Sequence, residues 1–434
     1  MQNIKDEFNF SLETSCVQSL EPYEPGQPRV YPIVQSTTYD YQDPDYLAEL
    51  FDLTKAGHMY SRISNPTVDV FEKKVAALEG GVGAVGVASG QAATTMAILN
   101  IMESGDNLIS TSTLYGGTHT LLASSMKKLG ITTKFVRPDA TVEEISALVD
   151  ANTKALFAES LGNPGVNVLD IEVFGKAAKA NKIPLIIDNT IATPYLCHPF
   201  EHGANIVIHS TTKYIDGQGT AVGGVVVDGG NFDWAASGRF PCLSKPDPDY
   251  HGITYTEAFA NAAYIVKART HILRDFGSTM SAFNAFLYNR GLETLHVRMD
   301  RHCENAAKVA QFLENHPSIE WVNYPTLSSS KDHELAKKYL PNGCSGILLF
   351  GVKGGKQGGF EFTKGLRWIK NVVHLGDVRT CMLHPASTTH RQLSDEQLLA
   401  AGVRPEAIRL NVGIEKIDDI LADLDIALKA IDSL

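Results

Sequence analysis

Four places in the chain set polar or reactive side chains at the end of an apolar run. Ile183 to Ile187 closes on Asp188, and a carboxylate there needs a partner, because burying it unpaired costs several kcal/mol. Asn205 to His209 leads into Ser210-Thr211-Thr212-Lys213, which sets an amine beside hydroxyls. Ala155 to Glu159 leads into Ser160-Leu161-Gly162-Asn163-Pro164. Ala84 to Ala88 leads into Ser89-Gly90-Gln91, where a helix begins, and a helix N-terminus with small residues suits an anion.

One ligand with a phosphate, an aldehyde and a basic ring nitrogen accounts for all four, and pyridoxal phosphate is such a molecule. Lys213 would form the Schiff base and Asp188 would keep the ring nitrogen protonated, so that the ring accepts electrons. Ser89, Gly90 and Gln91 would cradle the phosphate. Taken singly, plainer readings win: a surface lysine, a helix cap and an N-cap without ligand. The set carries the inference.

These groups require a sheet whose strand ends face one way. Short apolar runs do alternate with helical patterns from residue 66 onward, the signature of a mostly parallel α/β sheet covered on both faces. The first helix starts at Asn65-Pro66, spaces Val68, Phe71, Val75 and Leu78 helically, and stops at Gly80-Gly81. Thr141 with Glu144 predicts a capping box. A polar segment, Gly229 to Gly252, interrupts the pattern, and a long helical region follows from about Glu257. Beyond it, helices near Glu304 to Asn315, His333 to Leu340 and Asp418 to Asp432 mix with strands at Gly346 to Val352 and Ile408 to Val412. The expected organisation is a proline-rich arm at 1–65, a large domain at 66–265 and a smaller α+β domain at 266–434.

Composition narrows the partners. The 434 residues carry a net charge of −11, which argues against nucleic acid, and no apolar window approaches the roughly 20 residues of a membrane span. The first thirty residues do not read as a targeting segment, so the expected compartment is the cytoplasm. Six cysteines without a C-x-x-C pair read as free thiols. Gly81 to Gly86 fits G-x-G-x-x-G, but it follows a helix where a dinucleotide site needs a strand. Cys197, His198, His202 and His209 match no usual zinc spacing, and no metal site is expected. Gly351 to Gly359 lacks the order of a phosphate loop and reads as a turn.

Five ordered motifs extend the reading: Tyr60 to Thr67, Ala88 to Ala93, Asp188-Asn189-Thr190, Ser210 to Tyr214, and His384 to His390. With them the chain resembles, over nearly its whole length, the Cys/Met metabolism family that uses pyridoxal phosphate, of the aspartate aminotransferase fold type. The resemblance implies that Tyr60 and Arg62 reach the cofactor phosphate of a neighbouring subunit within a homotetramer. An Arg suits this, since its fork gives phosphate two donors. It implies that Tyr115 stacks on the ring, that Ser210 and Thr212 assist the phosphate, that Thr190 belongs to the cofactor set, that Asn163 sits near the ring hydroxyl, and that Arg409 clamps the substrate carboxylate.

Within the family, Thr388 to Ser394, Gly223 to Gly230 with Phe232-Asp233-Trp234, and Arg239-Phe240-Pro241 look like the branch that sulfhydrylates O-acetylhomoserine. That branch replaces the γ-acetoxy group with sulfide or a small thiol, giving homocysteine or methionine, with Lys213 as base and Tyr115 helping acetate leave. A methionine γ-lyase or cystathionine γ-synthase on the same scaffold is the alternative. Gly116-Gly117 stands where lyases usually carry a Cys, which lowers the lyase reading. Gln218 and His374 depart from the residues common in the family, and both positions bear on substrate preference.

Overall fold

The structure, a computed structural model, describes residues 10–18, 25–388, 391, 396 and 404–431. The chain forms two compact units. The larger comprises Met1–Ser160, Asp170–Asp216 and Thr220–Thr294, and the smaller Leu161–Leu169, Gly217–Gly219 and Leu295–Leu434. The sequence reading placed the division after residue 265, a position inside the helix Ala263–Lys267; the units divide at Thr294.

In the larger unit, seven strands are β1 (Gly83–Val87), β2 (Asn107–Thr111), β3 (Thr132–Val136), β4 (Thr153–Glu159), β5 (Leu185–Asp188), β6 (Ile206–His209) and β7 (Gly224–Asp228). Their order is β1-β7-β6-β5-β4-β2-β3. The pairings are parallel except the two made by β7, so the sheet is mostly parallel, as its continuous apolar strands require. Register sets Glu159 opposite Asp188, and Asp188 opposite Ile208, so the ends of β4, β5 and β6 share one edge.

Local signals place the helices around that sheet. Asn65 caps the helix Pro66–Glu79 by accepting from Thr67 N and Val68 N, and Gly80 ends it at φ +80°. Val68, Phe71, Val75 and Leu78 are all buried on its inner face. Ser89 caps Gly90–Leu99, and Thr141 with Glu144 forms the expected capping box. The core packs Val85, Met96, Phe157, Ile186, Ile206 and Val226 together, each side chain contributing roughly 1.5–3 kcal/mol. The Gly229 to Gly252 segment is polar in composition, yet Trp234, Phe240 and Leu243 from it enter this same core. Trp234 stacks on Tyr264 with centroids 5.2 Å apart. Irregularly spaced aromatic anchors leave no periodic trace, so tertiary packing alone reveals them.

The smaller unit is built on β8 (Ile319–Asn323), β9 (Ile347–Val352), β10 (Lys370–Asn371), β11 (Cys381–Leu383) and β12 (Ala407–Asn411), in the order β10-β11-β12-β9-β8. Only β10–β11 is parallel among these pairings. β8, β10 and β11 are absent from the sequence reading because they are short or half-exposed, without a clear alternation. The helix expected from Glu304 begins at Leu295.

Gly351 to Gly359 is not a single turn: Gly351 lies in β9, Gly354 turns the chain at φ +88°, and Gly355–Gly365 is a helix. Glycine disfavours helix by about 1 kcal/mol per residue, but this one buries Phe362 and packs on the helix Ile417–Ile431. A Cβ on Gly365 would lie 2.8 Å from Ala427 Cα, so close packing accounts for the glycine there.

Candidate active site

The edge formed by β4, β5 and β6 collects the reactive groups of the larger unit. Asp188 ends β5, and its Oδ1 accepts from the Thr190 amide at 3.0 Å and the Thr190 hydroxyl at 2.5 Å. Thr190 Oγ1 in turn accepts from Ser210 N at 2.8 Å, which ties the β5 end to the β6 end. Burial pushes the Asp188 carboxyl above the usual carboxylate range, while the Thr190 donors and the charge of His209 pull it back. A cation held against this carboxylate would restore its charged form.

After β6 the chain turns, with Lys213 N donating to Ser210 O at 3.2 Å. Lys213 and Thr212 are partly buried. Gly223 N donates to Thr212 Oγ1 at 3.1 Å, which holds this turn beside the start of β7. The turn after β1 meets it: a Cβ on Gly90 would lie 2.5 Å from Ser210 Cβ, and one on Gly224 would lie 2.3 Å from the Ser89 carbonyl oxygen. Ser89 Oγ accepts from Ala92 N at 3.1 Å, so the first turn of Gly90–Leu99 faces Ser210 as a cradle built largely of backbone.

Tyr115 enters from the loop after β2. Its amide donates to Glu159 Oε1 at 2.7 Å, and the residue is 51% exposed. A Cβ on Gly117 would lie 2.6 Å from the Tyr115 ring and 2.7 Å from Gln91 Nε2, so ring and amide flank that glycine. Gln91 Oε1 is buried without a hydrogen-bond partner among the described residues. Ser89, Gly90, Gln91, Tyr115, Asp188, Thr190, Ser210, Thr212 and Lys213 are thus linked around one edge.

The remaining expected residues stand in other groups. The Arg62 guanidinium lies 5.4 Å from the Tyr60 ring centroid and donates to Arg274 O. Both residues are exposed on the larger unit. In the smaller unit, Arg409 donates from Nη1 to Asn163 Oδ1 at 3.3 Å and from Nη2 to His374 O at 3.2 Å. The Gln218 carbonyl accepts from Arg379 at 2.6 Å. His384 is fully buried, with its ring nitrogens on Ser387 Oγ and Pro405 O. Thr389, His390 and most of the Thr388 to Ser394 stretch lie outside the described residues. Of the cysteine and histidines near residue 200, His209 pairs with Glu79 and His202 with Glu172.

The sequence reading passed over Glu159, which anchors Tyr115, and Gly224, which admits Ser89. A glutamate ending an apolar strand beside the strand of Asp188 was the available signal for the first.

Residues 13–429 match the family of Cys/Met metabolism PLP-dependent enzymes. The chain belongs to that family. It is 46% identical over 433 residues to the O-acetyl-L-homoserine sulfhydrylase of Leptospira meyeri, covering 98% of each chain. It is 47% identical over 411 residues to the homocysteine synthase of Schizosaccharomyces pombe, covering 94% of this chain and 96% of that one. A Campylobacter jejuni protein assigned as an O-acetylhomoserine (thiol)-lyase, crystallised with pyridoxyl-lysine phosphate, superposes with a TM-score of 0.92 at 40% identity, over 97% of this chain and all of the other. As a member of this family the chain uses pyridoxal phosphate. The site fits that cofactor: the glycine-walled cradle of backbone at a helix start suits a phosphate, and the Asp188 carboxyl awaits a cation. Among the described residues no helix is long and apolar enough to cross a membrane.

Proposed function

We propose that this protein replaces the γ-acetoxy group of O-acetyl-L-homoserine with sulfide or a small thiol, giving L-homocysteine or methionine and acetate. The observation that carries this reading is the convergence of Asp188, the Lys213 turn and the Gly90 cradle on one sheet edge. It occurs in a chain 46% identical to a curated O-acetyl-L-homoserine sulfhydrylase.

Pyridoxal phosphate, when bound, withdraws electrons from the substrate's α-carbon and so makes its proton removable. Lys213 would hold the cofactor covalently at rest; freed, its Nζ would move protons at the substrate's α- and β-carbons, the β-carbon losing one before acetate leaves the γ-carbon and regaining one after the sulfur nucleophile has added. Asp188 binds the ring nitrogen, with Thr190 holding the carboxylate in place. Ser89, Gly90, Gln91, Ser210 and Thr212 bind phosphate. Tyr115 stacks on the ring and assists departure of acetate; its backbone anchor on Glu159 leaves the ring free to face the ligand. Arg409 takes the substrate carboxylate on its fork, which Asn163 and the His374 carbonyl orient.

Tyr60 and Arg62 complete the phosphate site of a neighbouring copy, in a cytoplasmic homotetramer. Their exposure and mutual contact support that assignment. Purified protein given O-acetyl-L-homoserine and sulfide should release homocysteine and acetate in equal amounts. Chiefly 2-oxobutanoate and ammonia would mark a lyase, and preference for the succinyl ester with cysteine would mark a cystathionine synthase.

A further inference from the structure

Arg62 and Ser89 belong to different turns, yet one short segment, 274–279, is hydrogen-bonded beside both. Ser278 O accepts from Ala88 N at 2.8 Å, and Thr279 faces Val87 in an antiparallel bridge, so the segment runs along the end of β1 where the cradle begins. The Thr279 hydroxyl donates to Arg62 O at 2.9 Å, and the Arg62 guanidinium donates to Arg274 O. Gly277 turns the segment at φ +71°, and a Cβ there would lie 4.0 Å from Arg62 Cδ, so the arginine stem passes alongside.

The next carbonyl of the Arg62 turn is held as well. Arg269 donates from Nη1 to Ile63 O at 3.0 Å and from Nη2 to Ala84 O in β1 at 2.9 Å. Its Nη2 also pairs at 2.6 Å with Glu72, whose Oε1 accepts from Gly86 N in the same strand. Two successive turn carbonyls are thus taken by side chains 217 and 206 positions away, and both are referred to β1. A turn fixed beforehand loses less freedom when its side chains take up a phosphate.

We propose that Thr279 is a positioning residue for the cofactor phosphate. Its hydroxyl sets the Tyr60–Arg62 turn for the neighbouring copy's site, while the backbone of the same segment, through Ser278 O, sets Ala88 ahead of Ser89 in its own. The proposal rests on the reading that Tyr60 and Arg62 complete that neighbouring phosphate site. Of the two anchors, Thr279 is the one whose removal leaves buried Glu72 paired with Arg269.

The test compares binding of pyridoxal phosphate and of pyridoxal, which lacks the phosphate, to the full-length apoprotein. Arg62→Ala should cut the preference for the phosphate ester by about tenfold to a hundredfold, and an intact preference would mean that the underlying reading of Arg62 fails. With that control in place, Thr279→Val, which removes the hydroxyl and keeps the shape, should cut the preference by about fivefold, the worth of one hydrogen bond. Thr279→Ser keeps the hydroxyl and should retain the preference. In a Tyr60→Phe/Arg62→Ala background, Thr279→Val should cost nothing further, because its effect passes through that turn. A merely structural role would weaken both ligands alike and leave their ratio unchanged. An unchanged ratio in Thr279→Val, an equal loss in Thr279→Ser, or the full fivefold loss in the Tyr60→Phe/Arg62→Ala background overturns the proposal.

Discussion

Gly90 and Ser210 approach so closely that a Cβ on the glycine would lie 2.5 Å from the serine's own. The two residues open different turns, one after β1 and one after β6, and their meeting makes the proposed phosphate cradle.

Gly90→Ala should therefore weaken cofactor binding by about tenfold to a hundredfold, the cost of overpacking by 1–3 kcal/mol. Titration of the folded apoprotein with pyridoxal phosphate measures it, and wild-type affinity would show that the cradle lies elsewhere.

Lys213→Ala should abolish the reducible adduct. After borohydride treatment, mass spectrometry should find the wild-type adduct on the peptide carrying Lys213 and none in the variant. Turnover should fall by about a thousandfold, as for loss of a central proton-transfer group.

Arg409→Ala and Asp188→Asn should separate kinetically. The first removes charge-assisted bonds worth about 1.5–3 kcal/mol each and should raise KM by roughly tenfold to a hundredfold. The second should lower kcat by about a hundredfold with a smaller effect on KM. Parallel profiles for the two variants would contradict the separate roles given to them.

Asn65→Ala should destabilise the protein by about 1 kcal/mol through loss of the helix cap, with a further loss from its amide donors to Val34 O, Tyr39 and Ser61. Asn65→Asp keeps the acceptor and loses the donors, so its melting temperature should fall between those of the other two.

His302 links stability to pH. Burial pushes its imidazole down to about 4, from an ordinary 6.5, while Nδ1 donates to Val412 O at 2.6 Å. Between those values the unfolded chain binds the proton and the folded chain does not, so stability is full above pH 6.5 and falls as the pH drops toward 4. The limiting slope is about 1.4 kcal/mol per pH unit. The melting temperature of His302→Asn should lose this component of its acid dependence; identical slopes would assign the effect to other groups.

Much of the larger unit was legible residue by residue. Asn65-Pro66 and Gly80 bound the first helix, Thr141 and Glu144 formed their box, and Asp188 and His209 ended their strands, because caps and apolar runs act over a few residues. Gly351 to Gly359 reads as a turn because its glycines oppose helix locally, while packing of Gly355–Gly365 on Ile417–Ile431 decides otherwise.

The amino-acid order alone determined which groups could do the chemistry: an amine at Lys213, a carboxylate at Asp188 and an anion-binding turn at Ser89-Gly90-Gln91. Tertiary structure decided what surrounds them. Strand register brought Glu159 beside Asp188, backbone contact between distant turns made glycine necessary at 90 and 224, and the fold buried Glu79 against His209, 130 positions away. Such pairings depend on where separate strands and helices come to rest, and spacing along a chain records only neighbours within a few turns or a single strand.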